Sequence, residues 1–83
     1  MLRRNFVEQK VKKIMSQIFR VAEDHIREDA SSLTIDSWDS LAHMNLIAAL
    51  EEEFGVQFQD QEIIQMTSFE AILSSLALKA GSS

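Results

Sequence analysis

An all-α bundle of four helices is the fold that this 83-residue chain predicts. Proline is absent and glycine occurs only twice, which leaves few of the forced turns that a β architecture needs. Apolar residues recur at spacings of three and four along more than one segment, the period of a helix with one buried face. With 46% of residues hydrophobic and 25% charged, the balance is that of an ordinary globular protein with one modest core. The expected organisation is a single domain over residues 1–83, its core spanning about 5–78, with a fraying tail at 80–83.

Val7, Val11, Ile14, Ile18 and Val21 define the first stripe, and Phe6, Met15, Phe19 and Ala22 widen it. This is an amphipathic first helix with its basic residues toward water, expected to end within residues 22–27. The period then stops. Residues 24–39 are rich in small polar side chains and predict a long loop pinned to the core by Leu33 and Ile35. Loops beyond about 12 residues are uncommon in so small a domain and are often functional; a plain spacer is the alternative.

The second helix is expected to begin at Ser40 with Asp39 as N-cap. His43, Leu46, Ile47, Leu50 and Phe54 fall within one arc, and Gly55 suits the left-handed residue that ends a helix. Leu41, Asn45, Ala48 and Glu52 lie nearly opposite, with Met44 and Glu51 on the flank. One face meets the core. The other, Leu41, Met44 and Ala48 edged by acids, is a candidate docking surface. Val56-Gln57-Phe58 reads as a short extended connector. Asp60 to Met66 predicts a short third helix capped by Asp60, and Thr67-Ser68-Phe69-Glu70 reads as a capping box. The fourth helix then carries Phe69, Ile72, Leu73, Leu76 and Ala80 inward.

Composition removes several function classes. There is no cysteine, hence no disulfide, thiolate metal site or cysteine nucleophile, and any thiol chemistry must come from outside the chain. The basic start is not followed by an apolar signal segment, and no apolar run approaches a membrane span. A cytoplasmic protein without membrane insertion is the expectation. The net charge of −5 is unevenly placed. Six cations against Glu8 leave residues 1–20 at +5, whereas residues 21–78 set Arg27 against twelve acids, −11, and Lys79 adds the last +1. The acidic part repels nucleic acid and favours encounters with basic protein surfaces.

Ser40, His43 and Asp39 suggest a hydrolytic triad at first sight. Asp39 is committed to capping, however, and no glycine-bearing nucleophile elbow surrounds Ser40. His25 and His43 lack metal-ligand spacing, so no metal site is expected, and Glu51-Glu52-Glu53 reads as a solvated face. A DNA-reading helix would need the opposite charge. With Asp39 as cap, Ser40 keeps its hydroxyl free at the mouth of a helix, where a phosphate ester would be stabilised. A serine there can be modified, or it can simply occupy a first turn.

The triplet Asp39-Ser40-Leu41, followed by Leu46-Ile47-Ala48-Ala49-Leu50-Glu51-Glu52-Glu53-Phe54-Gly55-Val56, resembles the acyl carrier protein family. The likeness extends to the short third helix and the Thr67-Ser68 start of the last, and covers roughly residues 5–78. It implies a four-helix bundle of acyl-carrier type. It implies that Ser40 accepts 4′-phosphopantetheine from coenzyme A through a phosphopantetheinyl transferase, the Ser40 oxygen attacking the β-phosphate and 3′,5′-ADP leaving. The arm's thiol would carry acyl groups as thioesters, so the chain is a carrier and not an enzyme. Asp39, Leu41, Met44, Ala48, Glu51 and Glu52 would then be read by partners with basic docking surfaces, enzymes that transfer or modify acyl groups in fatty-acid, lipid or polyketide-type biosynthesis. Ile47, Leu50, Phe54, Phe58 and Ile64 would line the core and any acyl pocket.

Certain positions depart from the family's usual pattern. Ser37 stands where a glycine is frequent, Trp38 where a small or aliphatic residue is usual, and Ala42 and Asn45 where fatty-acid carriers place acids. His43 also departs, and is expected at the edge of the core with its nitrogens near solvent. A Trp before Asp39-Ser40-Leu41 resembles specialised, stand-alone carriers, and a monomer is expected. The alternative from another class is a helical protein-interaction module with no prosthetic group.

Overall fold

The computed structural model describes residues 4–81. Helix α1 runs Arg4–Phe19, α2 Ser40–Phe54, α3 Asp60–Gln65 and α4 Phe69–Gly81, with one 3-10 turn, Glu23–His25, inside the long connection between α1 and α2. The all-α bundle with its short third helix and long loop is the architecture the sequence predicts. Ser82 and Ser83, part of the tail expected to fray, and the side chain of Ala80 lie outside the described residues.

One core joins the helices. Val7, Val11, Met15 and Phe19, four residues apart on α1, are buried together with Leu46, Ile47 and Leu50 of α2 and Phe69, Ile72, Leu73 and Leu76 of α4. Truncating a wholly buried residue such as Leu46 should cost about 2–5 kcal/mol. Two residues assigned to the α1 stripe lie outside this core. Phe6 is half-exposed with the Lys10 ammonium 5.3 Å from its ring centre, and Ala22 is exposed.

α1 stops at Phe19, earlier than its apolar period suggests. Arg20 enters the left-handed region, φ 59°, and the Val21 N–H reaches back to the Ser16 carbonyl at 3.3 Å. That six-to-one bond is the Schellman way of ending a helix. The Ser16 hydroxyl reinforces it by donating to the Val21 carbonyl at 2.6 Å. α2 ends the same way, with Gly55 at φ 64° and Val56 N–H on the Glu51 carbonyl at 3.2 Å.

The long loop is anchored by Ile26, Ala30, Ile35 and Trp38, all buried. Leu33, expected among the anchors, is 92% exposed. The cause is local. Ser31 accepts backbone N–H groups from Thr34 and Ile35 on its carbonyl and from Leu33 on its hydroxyl, so Leu33 sits at the tip of a self-bonded turn. The loop also pairs with the start of α4, Ser32 N–H donating to the Thr67 carbonyl and Phe69 N–H to the Ala30 carbonyl, each at 2.9 Å.

The two later caps each fall one residue from the expected place. Asp60 is the first residue of α3 rather than its cap. The N-cap is Gln59, whose N–H donates to the Glu62 carboxylate at 2.8 Å. At α4 the cap is Ser68, whose hydroxyl takes the Ala71 N–H at 3.1 Å, rather than Thr67. Within α3, Ile63 packs on the core while Ile64, expected in the core, is 71% exposed, because successive helical residues turn by about 100°. An ion pair, Lys79 to Glu62 at 2.9 Å, ties α3 to α4.

Candidate functional site

The junction between the loop and α2 is built from four consecutive side chains with four different tasks. The Ser37 hydroxyl donates to the Phe19 carbonyl at 2.7 Å, satisfying one of the orphan carbonyls at the end of α1. Trp38 turns inward, 6% exposed, and stacks on Phe19 with ring centres 4.7 Å apart. Asp39 holds extended backbone, φ −101° and ψ −176°, and its carboxylate accepts the Ala42 N–H at 2.8 Å as the N-cap of α2. Ser40 is the first helical residue. It is exposed, and its hydroxyl makes no hydrogen bond among the described residues.

This arrangement leaves an accessible hydroxyl where the unpaired N–H groups of a fifteen-residue helix favour added negative charge. Ser40 is thus an accessible hydroxyl, and among the described residues no base is bonded to it. His43, one turn on, has both ring nitrogens engaged. The Trp38 Nε1–H donates to Nδ1 at 3.0 Å, and Nε2 lies 2.8 Å from the Ile63 carbonyl. An indole N–H can only donate and a carbonyl only accept, so the ring is neutral with its proton on Nε2. Neither nitrogen is left to act as base for Ser40, and His43 is tied into the protein rather than open to solvent at the core edge. No group of His, Cys, Asp and Glu suited to a metal ion occurs among the described residues.

The outer face of α2 carries Leu41, 73% exposed, Met44, 54% exposed, then Ala48 and Glu52, both exposed. Helical geometry separates the three adjacent acids. Glu53 turns toward α1 and pairs with Lys10 at 2.7 Å. Glu51 turns toward the connector and accepts the Phe58 N–H at 2.9 Å. Glu52 projects on the side of Leu41, Met44 and Ala48. Glu51, which the sequence places with Glu52 on the docking face, therefore has a structural task. Of the residues assigned to the interior, Ile47, Leu50 and Phe58 are buried and Phe54 is partly buried against the core; Ile64 is not with them.

The Ser37 cap and the Trp38–His43 pair escape sequence reasoning. The Ser37 partner lies eighteen residues away across the loop, whereas Trp38 and His43 stand at N′ and N4 of α2, the positions of a hydrophobic staple, and are joined here by a hydrogen bond between polar ring atoms. No helix among the described residues is long and apolar enough to cross a membrane. Compared with protein-family models, residues 9–76 match the one described as phosphopantetheine attachment site.

Proposed function

The chain belongs to the phosphopantetheine attachment site family, whose members are carriers bearing a 4′-phosphopantetheine group, and from that premise we propose that Ser40 is the residue that bears it. The observation that carries the assignment is the division of labour at the start of α2. Asp39 caps the helix, which leaves the Ser40 hydroxyl exposed and without a hydrogen bond among the described residues. When bound, the group supplies a thiol, which this cysteine-free chain lacks, and with it the capacity to hold acyl groups as thioesters.

The chain's own residues then do three things. Asp39 fixes the helix start, so the Ser40 oxygen is displayed in one direction. Leu41, Met44 and Ala48 offer an apolar strip to enzymes that add, transfer or modify the acyl group. Glu52, together with the charge of Asp39, meets basic residues around such an enzyme's entrance. Each exposed ion pair is worth about 0–1 kcal/mol, so these acids steer and orient brief encounters rather than hold a lasting complex. The activating base belongs to the transferase, in keeping with His43 being engaged elsewhere. The reading extends to a monomeric carrier domain in the cytoplasm, serving fatty-acid, lipid or polyketide-type synthesis, with Ile47, Leu50, Phe54 and Phe58 as the inner wall behind Ser40.

The test is direct. The protein is incubated with coenzyme A, Mg²⁺ and a broad-specificity phosphopantetheinyl transferase, and its intact mass is taken. The expected result is the gain of one phosphopantetheinyl group, absent in Ser40→Ala. A gain that persists in Ser40→Ala would move the site, and no gain with several transferases would overturn the proposal.

A further inference from the structure

α3 is the shortest α-helix of the bundle, and the residue that caps its end, Met66, is wholly buried. A helix of six residues is far below the length of about 12–15 at which helices begin to persist in water, and none of its side chains is buried. It is retained by the packing of Ile63, by the Lys79–Glu62 pair, by the Glu51 bond to the connector's Phe58, and at its far end by His43. The Ile63 carbonyl lies in the last turn, where helix carbonyls run out of intrahelical partners. The Met66 N–H reaches it at 3.3 Å and His43 Nε2 at 2.8 Å. A side chain of α2 thus caps α3. The Ile63 carbonyl requires the proton at Nε2, and the Trp38 N–H requires a bare Nδ1, so the ring is held in one neutral form. Trp38 is itself fixed by burial and by its stack on Phe19. One line of contacts therefore runs from α1 through the loop and α2 to α3, passing a single turn from Ser40.

We propose that Trp38 and His43 form a latch that closes the seam between α2 and α3 and keeps a cargo chain on Ser40 outside the bundle. The proposal rests on the carrier reading of Ser40. A chain tethered at the start of α2 meets this seam first, beside His43 and, one turn further on the same face, Ile47. Entry requires a wall to move. α3 is the wall with no buried side chain, and the His43–Ile63 bond pins its end. With the latch shut, a thioester stays open to enzymes and nucleophiles; with it open, the chain can slip inward and be shielded.

The test loads octanoyl-phosphopantetheine onto Ser40 from octanoyl-coenzyme A and follows its release by hydroxylamine. Wild type is compared with His43→Phe, which keeps a ring but neither polar contact, with His43→Gln, which keeps one donor and one acceptor, and with Trp38→Phe, which keeps the stack and loses the N–H. Wild type should react as fast as octanoyl-pantetheine in free solution. His43→Phe loses both polar contacts, which together shift a two-state equilibrium roughly thirtyfold, so a chain shielded about a tenth of the time in wild type should be released about fourfold more slowly. His43→Gln should restore the fast rate. If His43→Phe does not fold, Trp38→Phe carries the comparison, with slower release than wild type expected. In the unloaded protein, ¹⁵N shifts of His43 should show a proton on Nε2 and a hydrogen-bonded, bare Nδ1, and the indole N–H should exchange slowly; in Trp38→Phe the Nδ1 shift should move as its bond is lost, while the proton stays on Nε2. Equal release rates in all folded variants, or a wild-type thioester already shielded, would overturn the gate. Failure of Ser40 to take any arm, read by intact mass, would overturn the carrier reading and the gate with it, while the ¹⁵N and exchange signatures would still report whether the latch exists.

Discussion

Trp38 donates its indole N–H to His43 Nδ1 at 3.0 Å, a bond that requires this nitrogen to be bare. Together with the Ile63 carbonyl accepting at Nε2, it fixes the tautomer and leaves neither nitrogen as a base toward Ser40. The residues that resemble a triad are each otherwise engaged or exposed. Asp39 holds the first turn of α2, His43 bridges two helices, and Ser40 faces water. That division is what the proposed carrier role needs, a serine left open for a group that another protein attaches.

Asp39 has a capping task and a proposed recognition task, and two substitutions separate them. Asp39→Asn keeps an acceptor for the Ala42 N–H and removes the charge, whereas Asp39→Ala removes both. Asn and Asp cap about equally well, and Ala costs about 1 kcal/mol. Thermal unfolding should therefore leave Asp39→Asn near wild type and lower Asp39→Ala by roughly 4–8 °C. Both should slow modification by the transferase. A wild-type rate for Asp39→Asn would show that partners do not read the charge.

Arg20 and Gly55 occupy equivalent places at the ends of α1 and α2, both at positive φ. A side chain in that region costs roughly 1–2 kcal/mol, and only glycine escapes it. Arg20→Gly should thus stabilise the protein by up to about 1 kcal/mol, the gain being offset in part by the freer unfolded chain. A Cβ at Gly55 meets no atom within 4 Å, so Gly55→Ala should lose only the conformational term, about 1 kcal/mol. Urea midpoints should move in opposite directions with unchanged slopes. A larger loss at Gly55 would mean that something other than backbone conformation is at stake there.

The same two positions show what the sequence can and cannot display. Gly55 announces the end of α2 because glycine is the residue that tolerates the left-handed region. Arg20 announces nothing, so the apolar period through Val21 and Ala22 predicts a longer α1 than forms. The buried faces of α2 and α4 were legible because their spacing is helical and their caps are adjacent in sequence. Hydrophobicity alone places Leu33 inward, because it says nothing of a turn closed by Ser31. Ile63 and Ile64 were not separable, since a helix of six residues is too short for its period to choose between neighbours. At the site, the Asp39–Ser40 register was legible from local capping chemistry. The Trp38–His43–Ile63 line was not, because it depends on how three elements meet.

Glu51 and Glu52 are adjacent yet should behave differently. Glu51 accepts the Phe58 N–H, so Glu51→Ala should cost about 1 kcal/mol and loosen the connector leading to α3. Glu52 is exposed beside Leu41, Met44 and Ala48, and Glu52→Lys should stay within about 0.5 kcal/mol of wild-type stability. Its effect belongs to docking: slower reaction with basic partner enzymes and a flatter dependence of that rate on salt. Stopped-flow rates over a salt series, beside urea unfolding of both variants, read the two effects separately. Unchanged docking in Glu52→Lys would take this acid out of the interface.

Glu62 gives α3 its response to acid. Its carboxyl titrates below the ordinary glutamate range, first because the Gln59 N–H donates to it and then because Lys79 bonds to it at 2.9 Å. A folded-state value below the unfolded one contributes stability that is fully present above the unfolded value and is lost as pH falls through the folded one. α3 should therefore stay fixed through neutral and mildly acidic solution and loosen only below the ordinary glutamate range. Carboxyl ¹³C titration of Glu62 and amide exchange across residues 60–65 check both halves of this. Lys79→Ala should raise the Glu62 value only part of the way, since the Gln59 N–H remains. In Glu62→Gln, exchange in α3 should already be faster near neutral pH and should lose the step attributable to this residue at low pH. A wild-type Glu62 that titrates at the ordinary value would remove it as a tether, leaving α3 held by Ile63, His43 and the connector.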